Sequence, residues 1–360
     1  MKSNIILIGL LAALLLACAD HRKAGVSVLW ENLRVPEEND PSWEQLLTNK
    51  YKVTPLETSD SCLVGPIEKI RKFQGHYYIL TLGKILHFDR RGKCVSVLER
   101  KGMGPEEYNR VEDFDVYEIE GRTEIWISDN QSLKAYDAFD GSFLSRMSFP
   151  FVIHKFKRLE NTCVLLVTGQ GERSLTLVDK TGQIVSEFLE KEIPFLMFRP
   201  VQFVKYDQRY LFQLGIANAF VSLDPQTNVF AKGCYASDKK YLSDQELLAL
   251  FAEKGMEFIR FANQRCYISN WVALNEKAWV HTCLAGENYL SKIRSGTAIV
   301  STKFQYGDIL STLFTGESDD SLLLYVLPEQ QEECNQSLAL KDKDKLTMDA
   351  FDNPCLLEFF

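Results

Sequence analysis

Apolar strands alternate with short polar turns along most of the chain, and one pattern occurs four times. In each copy an apolar strand ends in an aspartate, a glycine or asparagine follows within a few residues, and another strand begins. The aspartates are Asp89, Asp137, Asp179 and Asp224, separated by 48, 42 and 45 residues. A repeat of this length, built from hairpins, is typical of one blade of a β-propeller.

Six blades are predicted from these hairpins, with a short helix between two of them. Strands and turns cover about 65–101, 111–149, 153–189, 201–234 and 267–302, and a sixth blade begins near 309. Ser243 and Glu246 have the spacing of a capping box, and apolar residues follow at helical intervals. The predicted fold class is therefore all-β, a six-bladed β-propeller with a short helical insertion near 243–254.

Two strand-like segments lie at opposite ends of the predicted propeller. One alternates between apolar and polar residues from Tyr51 to Glu57, and the other is the apolar end of the chain at 355–360. Pairing a strand from one terminus into a blade begun by the other closes the ring and covers a sheet edge. We therefore expect the C-terminal strand to be needed for the stability of the whole ring.

The first residues are predicted to direct export and not to belong to the fold. Lys2 precedes a twelve-residue apolar run, Ile5 to Leu16, which is too short to span a bilayer. Ala17 and Cys18 follow, and a small residue directly before a cysteine resembles the bacterial lipobox. This resemblance implies cleavage before Cys18 and covalent lipid on that residue; a cleaved signal with an incidental cysteine is the alternative. The predicted domains are a lipoprotein signal peptide (1–17), a tether and entry segment (18–50) and the propeller (51–360).

Composition supports a folded globular body and argues against one class of partner. Aromatic residues make up 12% of the chain and charged residues 25%. Without Lys2, which leaves with the signal peptide, 40 basic residues remain against 49 acidic ones, a net charge of −9. Because phosphate binding needs a basic surface, we expect no nucleic acid as a partner. A ring-shaped monomer is the expected state.

Eight cysteines remain after Cys18, and their spacing does not predict a zinc site. The chain gives them two interpretations, either small buried hydrophobic residues or one or two disulfides in an oxidising compartment. Sequence alone cannot pair them. They are Cys62, Cys94, Cys163, Cys234, Cys266, Cys283, Cys334 and Cys355.

Three stretches together resemble the six-bladed β-propeller lipoproteins of Bacteroides, which are similar in shape to NHL-repeat proteins. The first is Leu56-Glu57-Thr58, leading into Ile67-Glu68-Lys69-Ile70. The second is Gly102-Met103-Gly104-Pro105-Glu106-Glu107-Tyr108, followed by Val111-Glu112-Asp113-Phe114-Asp115-Val116. The third is Asp352-Asn353-Pro354 before an apolar strand. With the repeats, the resemblance covers nearly all of the chain after Cys18.

Residues after Cys18 predict where the anchored protein lies. In enteric lipoproteins an aspartate directly after the cysteine favours the inner membrane, but here that residue is Ala19. Surface-exported lipoproteins of Bacteroides relatives tend to be acidic there, whereas His21-Arg22-Lys23 is basic. We therefore expect a cell-envelope protein, held by lipid in the outer membrane and facing the periplasm.

The glycine-rich stretch from Gly102 to Tyr108 has two interpretations. It lacks the Lys-Ser/Thr pair of a phosphate loop and the strand-to-helix context of one. It is either a crossover between blades, stabilised by backbone hydrogen bonds, or a loop that brings Glu107 and Tyr108 to one mouth of the central channel.

Propellers bind ligands at the axis, where loops and inner strands from every blade converge. Arg199 could hold a carboxylate or sugar acid, and Trp271 could stack on a sugar. For each candidate taken alone, a surface charge or a core aromatic residue is the favoured interpretation. The candidate ligand-binding residues are Glu107, Tyr108, Asp113, Arg199, Arg260 and Trp271, with His76, Gln202 and His281 also near predicted strand starts.

Two function classes follow, and the first is favoured. It is a non-enzymatic binding or scaffold protein that engages a glycan or a partner envelope protein. The alternative is a lactonase-, hydrolase- or lyase-like enzyme with a divalent cation such as Ca²⁺ held by carboxylates in the channel. Asp113 is the one acid that the pattern places there, and the sequence shows no catalytic cluster. Lipid on Cys18 is therefore the one covalent group expected.

Overall fold

The structure is a computed structural model that describes most of the chain from residue 27 to the C terminus. The described range is 27–360 without 38, 40–42, 49, 161–162, 169–172, 191–196, 214, 216–217, 296, 306, 339 and 342–343. The predicted signal peptide and Cys18 lie outside the described residues. Within the described part, six sheets form the blades of a β-propeller, so the predicted fold class is confirmed.

Blades one to five each contain a four-stranded antiparallel meander. Blade one has β3 (Ile67–Phe73), β4 (His76–Thr81), β5 (Lys84–Phe88) and β6 (Cys94–Leu98). Blade two has β7 (Asp113–Ile119), β8 (Arg122–Asp129), β9 (Ser132–Asp137) and β10 (Phe143–Ser148). Blade three has β11 (Lys155–Arg158), β12 (Val164–Val167), β13 (Arg173–Val178) and β14 (Ile184–Glu190). Blade four has β15 (Val204–Tyr206), β16 (Arg209–Phe212), β17 (Ala219–Asp224) and β18 (Val229–Ala236). Blade five has β19 (Cys266–Leu274), β20 (Lys277–Leu284), β21 (Glu287–Arg294) and β22 (Thr297–Phe304).

The repeated aspartates build the turn between the third and fourth strands of a blade. The carboxylate of Asp89 accepts hydrogen bonds from the backbone N–H of Arg91 at 2.7 Å and of Lys93 at 2.9 Å. Asp179 does the same with Thr181 at 2.8 Å and Gln183 at 3.0 Å. Such local bonds are why aspartate favours turns. The repeat that reveals the fold is therefore turn chemistry and not a ligand site.

Blade six is assembled from both ends of the propeller. Its strands are β24 (Leu322–Val326), β25 (Cys355–Phe359) and β2 (Tyr51–Pro55), with β25 in the middle. β25 pairs antiparallel with both neighbours, and all five of its residues are buried. The sequence predicted this closure. The blade starts later than predicted, because Ile309–Phe314 is a buried 3₁₀-helix.

Glu358 fastens this closing strand to blade one. Its carboxylate is fully buried and accepts from Lys72 Nζ at 2.5 Å, from Ser321 Oγ at 3.2 Å and from the Tyr77 hydroxyl. Lys52 Nζ lies 3.4 Å from it. Burial alone would raise the pKa of Glu358, but the bonds from Lys72 and Tyr77 outweigh it and lower the pKa.

The segment before β2 runs along the outer edges of blades four and five. β1 (Ser27–Trp30) pairs in parallel with β18, and Asn39 exchanges hydrogen bonds with the backbone of Ser301. The short helix α1 (Trp43–Leu46) ends where the Leu46 carbonyl accepts from the Trp279 indole at 2.7 Å. This edge contact was not predicted, and it covers strands that would otherwise be open to pairing.

Few helices interrupt the blades. α2 (Asp244–Lys254) begins with the predicted capping box between Ser243 and Glu246, and α3 (Phe258–Ala262) follows it before blade five. α4 (Gln331–Ser337) lies between β24 and β25. In the described part of the chain, none of these helices is long and apolar enough to cross a bilayer.

Each of the eight cysteines after Cys18 lies in the described part of the chain as a thiol, and five of them are buried. Burial raises the pKa of the Cys266, Cys334 and Cys355 thiols to about 12. They pack as small apolar side chains, which is one of the two interpretations that the sequence left open.

Candidate functional site

The first strands of the blades surround the axis, and the connection from blade five to blade six enters the space between them. First strands contact one another around the ring, for example β3 with β7 and β15 with β19. After the buried 3₁₀-helix at Ile309–Phe314, β23 (Gly316–Glu317) pairs in parallel with β3. A Cβ on Gly316 would lie 2.4 Å from the Leu323 carbonyl oxygen, so the close approach requires glycine. We call residues 309–317 the plug.

Charged residues of blades one to three fill the channel beside the plug. They alternate along the first strands, because every second residue of a strand faces the same side. β3 contributes Lys69 and Arg71, β7 contributes Asp113 and Asp115, and β11 contributes Lys155 and Lys157. Each of these six residues is at most 9% exposed.

Ion pairs connect this axial cluster in two layers. In the first layer, Asp113 Oδ1 lies 3.2 Å from Lys69 Nζ and 3.5 Å from Lys155 Nζ. In the second, Asp115 lies 3.2 Å from Arg71 Nε and 2.7 Å from Lys157 Nζ.

Glu317 of the plug joins the two layers of the axial cluster. Its carboxylate lies 2.7 Å from Lys157 Nζ and 3.3 Å from Lys69 Nζ, with Arg71 Nη1 at 3.9 Å. The plug is therefore held to blades one and three by charge as well as by apolar packing. Breaking such a buried pair on one side is costly, because the remaining charge stays out of water.

The ion pairs shift the pKa values of the cluster. Burial would raise the pKa of Glu317, but Lys157, Lys69 and Arg71 outweigh it and hold the pKa well below its usual value. The pKa of Asp115 is lowered in the same way, with Lys157 the strongest opposing charge. Burial would lower the pKa of Lys157, but Asp115 and Glu317 raise it well above its usual value. Glu317, Asp115 and Lys157 are thus charged at neutral pH, whereas burial lowers the pKa of Lys155.

Acid is expected to destabilise the ring through this cluster. Because the folded-state pKa of Glu317 lies below that of the unfolded chain, its contribution is complete above about pH 4.3 and is lost as the pH falls. Urea unfolding of the wild type and Glu317→Gln between pH 7 and pH 3 measures this. The free energy of unfolding should fall more steeply with acid in the wild type. Equal slopes would contradict the assignment.

Two cavities lie on opposite sides of the plug. The hairpin-side cavity has a volume of about 640 Å³ and is bordered by the β15–β16 and β19–β20 turns. Asp207 and Gln208 form the first turn, Asn275 and Glu276 form the second, and all four are exposed. Its wall is apolar where Leu322 and other side chains of blades four to six line it.

The crossover-side cavity has a volume of about 570 Å³ and lies where first strands begin. Its lining includes Lys69, Asp113 and Lys155 of the axial cluster, together with Phe198 and Arg199 before β15. Ser311, Thr312 and Thr315 of the plug close its floor. The two cavities differ in charge, which matters for what each could bind.

Of the predicted ligand-binding residues, Asp113 and Arg199 line the crossover-side cavity. The Arg199 guanidinium donates to backbone carbonyls of Ser269 at 2.8 Å, Gln213 at 3.0 Å and Gly215 at 2.7 Å. Gln202, also a candidate, accepts from the Arg199 backbone N–H at 3.0 Å. Arg199 therefore supplies charge to the cavity while most of its N–H groups hold the fold.

Glu107 and Tyr108 lie in the crossover between blades one and two and line neither of these cavities. The Glu107 carboxylate accepts from the Gly104 backbone N–H at 2.8 Å. The Tyr108 side chain is buried and its hydroxyl donates to the Leu98 carbonyl at 3.1 Å. This geometry is the hydrogen-bonded crossover that was one interpretation of the glycine-rich stretch.

Arg260 and Trp271 also line neither of the two cavities. Arg260 is exposed on α3. Trp271 is buried between blades four and five, where its ring packs edge-on against Trp30 at 5.3 Å and its indole N–H donates to Tyr235 at 3.2 Å. Its ring is covered by protein side chains.

The two candidate histidines are spread over different blades. His76 Nδ1 lies 2.8 Å from His87 Nε2 in blade one. His281 bonds Asn288 at 2.9 Å in blade five and stacks on Phe314 of the plug. Neither lines one of the two cavities.

Most of the channel residues were not predicted as site residues, although the charge pattern of three strands indicated them. Three first strands carry charges at alternate positions, as Lys-x-Arg, Asp-x-Asp and Lys-x-Lys. A buried strand seldom carries two charges on one face unless they are paired. No alternating charge pattern surrounds Glu317, because its strand has only two residues. Its partners in the ion pairs are about 160 to 250 positions away in the chain.

The channel acids do not fit a divalent-cation site. Asp113, Asp115 and Glu317 are each contacted by Lys or Arg, so binding a cation would displace buried ion pairs. Within the residues that the structure describes, no group of three or more His, Cys, Asp or Glu side chains is placed to hold a metal ion. The described acids of the channel therefore do not fit the cation that the enzyme alternative needs.

Comparisons with known proteins agree with the fold. Residues 36–255 match the model of a family described as a domain of unknown function, DUF4934. A Bacteroides fragilis protein, described as a candidate exported protein, matches with a TM-score of 0.72 at 19% identity, covering 90% of this chain and 98% of its own. A DUF4221 family member from Bacteroides vulgatus matches with a TM-score of 0.52 at 12% identity, covering 86% and 96%. No curated protein matches the chain. At these identities the structural likeness concerns the fold alone.

Proposed function

This chain belongs to the DUF4934 family, and we propose that it is a non-enzymatic binding protein of the cell envelope that holds a neutral oligosaccharide in its hairpin-side cavity. The envelope location is supported by the apolar run before Cys18 and by the description of the Bacteroides fragilis neighbour. We extend the proposal to a lipid anchor at Cys18 in the outer membrane.

The chemistry of the hairpin-side cavity carries the proposal. Its volume of about 640 Å³ lies within the range of small-ligand sites. The exposed carboxylates and amides of Asp207, Gln208, Asn275 and Glu276 can accept hydrogen bonds from hydroxyl groups, and the amides can also donate. Tyr206 and the apolar wall give the less polar faces of a sugar a surface to contact.

Charge favours a neutral ligand here. Asp207 and Glu276 line this cavity and are exposed. Asp319 also lines it, but its carboxylate pairs with Arg71 at 2.9 Å. Lys205 lies 3.6 Å from Glu160, and Lys157 is paired with Asp115 and Glu317. An anionic sugar would meet these carboxylates at close range, so hydroxyl groups are the better partners.

The same geometry supports binding without catalysis. General acid and base groups must reach the substrate with a suitable pKa. The buried acids of the channel are held as ion pairs, and the exposed acids of the cavity rim lie on surface turns. The buried acids are thus committed to protein cations, and this is the observation that favours binding over catalysis.

Binding to neutral oligosaccharides, found on a glycan array and measured by isothermal titration calorimetry, tests the proposal. The double variant Asp207→Asn/Glu276→Gln should bind about tenfold more weakly, because it loses charge-assisted hydrogen bonds. The matched control is Glu120→Gln, an exposed position on the β7–β8 turn outside this cavity, which should bind as the wild type does. The proposal fails if no neutral oligosaccharide binds, or if the double variant binds as tightly as the wild type does. Binding to an envelope protein and to no oligosaccharide would also contradict it and would indicate a protein partner.

A further inference from the structure

The crossover-side cavity carries more positive than negative buried charge. Lys69, Lys155 and Arg199 line it and are each at most 9% exposed. Asp113 is the one buried carboxylate among the described residues that line it. Glu317 compensates Lys69 from the other side of the channel, at 3.3 Å. The charges of Lys155 and Arg199 are therefore incompletely balanced by protein.

Arg199 has no carboxylate among its bonds in the described chain. Its guanidinium donates to the carbonyls of Ser269, Met197, Gln213 and Gly215, which satisfy N–H groups but do not neutralise the charge. Burial lowers the pKa of Arg199 to about 10. The group thus stays protonated at neutral pH, and it raises the electrostatic potential of the cavity that it lines.

Lys155 has unused donor capacity. An ammonium group has three N–H donors, and within the described residues Lys155 Nζ has one acceptor, Asp113 Oδ1, at a long 3.5 Å. Asp113 is shared with Lys69, which lies closer at 3.2 Å and also donates to the Phe114 carbonyl at 2.9 Å. A nearly buried cation beside an open cavity is stabilised if an anion binds there.

The cavity wall also offers an aromatic surface. Phe198 is 38% exposed, and its ring stacks on His154 with centroids 4.6 Å apart. The cavity volume of about 570 Å³ suits a small ligand. An exposed ring beside cationic donors matches a ligand with one apolar face and one carboxylate.

We propose that the crossover-side cavity binds a small sugar acid, whose carboxylate pairs with Lys155 in the field of Arg199 and whose ring faces Phe198. Glu112 at the rim is paired with Arg110 at 3.2 Å, and Glu68 is exposed and screened by solvent. This site lies across the plug from the hairpin-side cavity, so it does not depend on the function proposed above.

Calorimetric titration of the full chain with D-glucuronate and with D-glucose tests this site. Glucuronate should bind and glucose should not, and added salt should weaken the glucuronate complex. Lys155→Met keeps the apolar stem and should lower glucuronate affinity about ten- to hundredfold, whereas Lys155→Arg should keep most of it. The matched control, Lys205→Met, removes an exposed lysine from the hairpin-side cavity and should leave glucuronate binding unchanged.

Several results would overturn the assignment. They are equal affinity of the wild type and Lys155→Met, equal binding of glucose and glucuronate, or no glucuronate binding. A peptide that binds through its free C-terminal carboxylate, but not as its amide, would overturn the sugar assignment if glucuronate does not bind. If Lys155→Met does not fold, two other measurements test the site. They are the affinity of Lys155→Arg for glucuronate and the comparison of glucuronate with glucose in the wild type.

Discussion

Deletion of residues 353–360 is expected to abolish cooperative unfolding of the protein. The deletion removes β25, the middle strand of blade six, and leaves β2 and β24 without the partner that both share. Burial of Leu356, Leu357 and Phe359 alone stabilises the fold by about 5–9 kcal/mol, at about 1.5–3 kcal/mol each. That is comparable with the whole stability of an ordinary domain, about 5–15 kcal/mol. Circular dichroism during heating is the measurement.

A single substitution tests whether the deletion acts through the buried side chains of β25 and not through shortening of the chain. Phe359→Ala should destabilise the protein by about 3–5 kcal/mol, since its side chain is 2% exposed in the core between blades five and six. Phe351→Ala is the matched control, because Phe351 is 92% exposed and its loss should change stability by less than about 0.5 kcal/mol. A truncated protein that melts cooperatively at the wild-type temperature would show that β25 does not close the ring.

Replacement of Glu317 by alanine is expected to cost about 3–5 kcal/mol of unfolding free energy. The carboxylate faces Lys69, Arg71 and Lys157. Its removal leaves the four buried cations of the axial cluster with two buried carboxylates, Asp113 and Asp115. The substitution also removes the ion pairs that connect the plug to β3 and β11. Urea unfolding at pH 7 measures the loss, and Glu120→Ala on an exposed turn is the control.

A double-mutant cycle tests whether the cost comes from charge. Lys157→Met in the Glu317→Ala background removes the cation that lies 2.7 Å from the lost carboxylate. The double variant should be more stable than the sum of the two single effects predicts, because the two charges interact directly. Additive effects would mean that Glu317 acts through packing alone. The conclusion that charge holds the plug to the blades would then be wrong.

The blades could be predicted because their determinants are local. Each repeated aspartate bonds backbone groups two to four residues ahead, so turn and strand positions appear in the sequence as one periodic pattern. The same holds for the capping box of α2, in which Ser243 and Glu246 are three residues apart. Closure by β2 and β25 was predicted from the ring itself, because a ring leaves two edges to be joined.

The candidate site was predicted in part. Asp113 and Arg199 were placed at the axis and line the crossover-side cavity, since strand starts face the mouth of a propeller. Trp271 looked equally suitable, but its ring fills the interface between blades four and five. Nothing within one blade distinguishes a first-strand aromatic residue that faces the axis from one that faces the next blade.

The sequence by itself determined the blades, their order and their turns, because hairpins form from neighbours and repeat with a period that can be counted. Tertiary structure alone decided what occupies the axis. The plug and its Glu317 meet Lys69, Arg71 and Lys157 only when blades far apart in the chain are brought together. The charges of the two cavities depend on those encounters, because a buried charge is balanced by whatever lies near it in space and not by its neighbours in sequence.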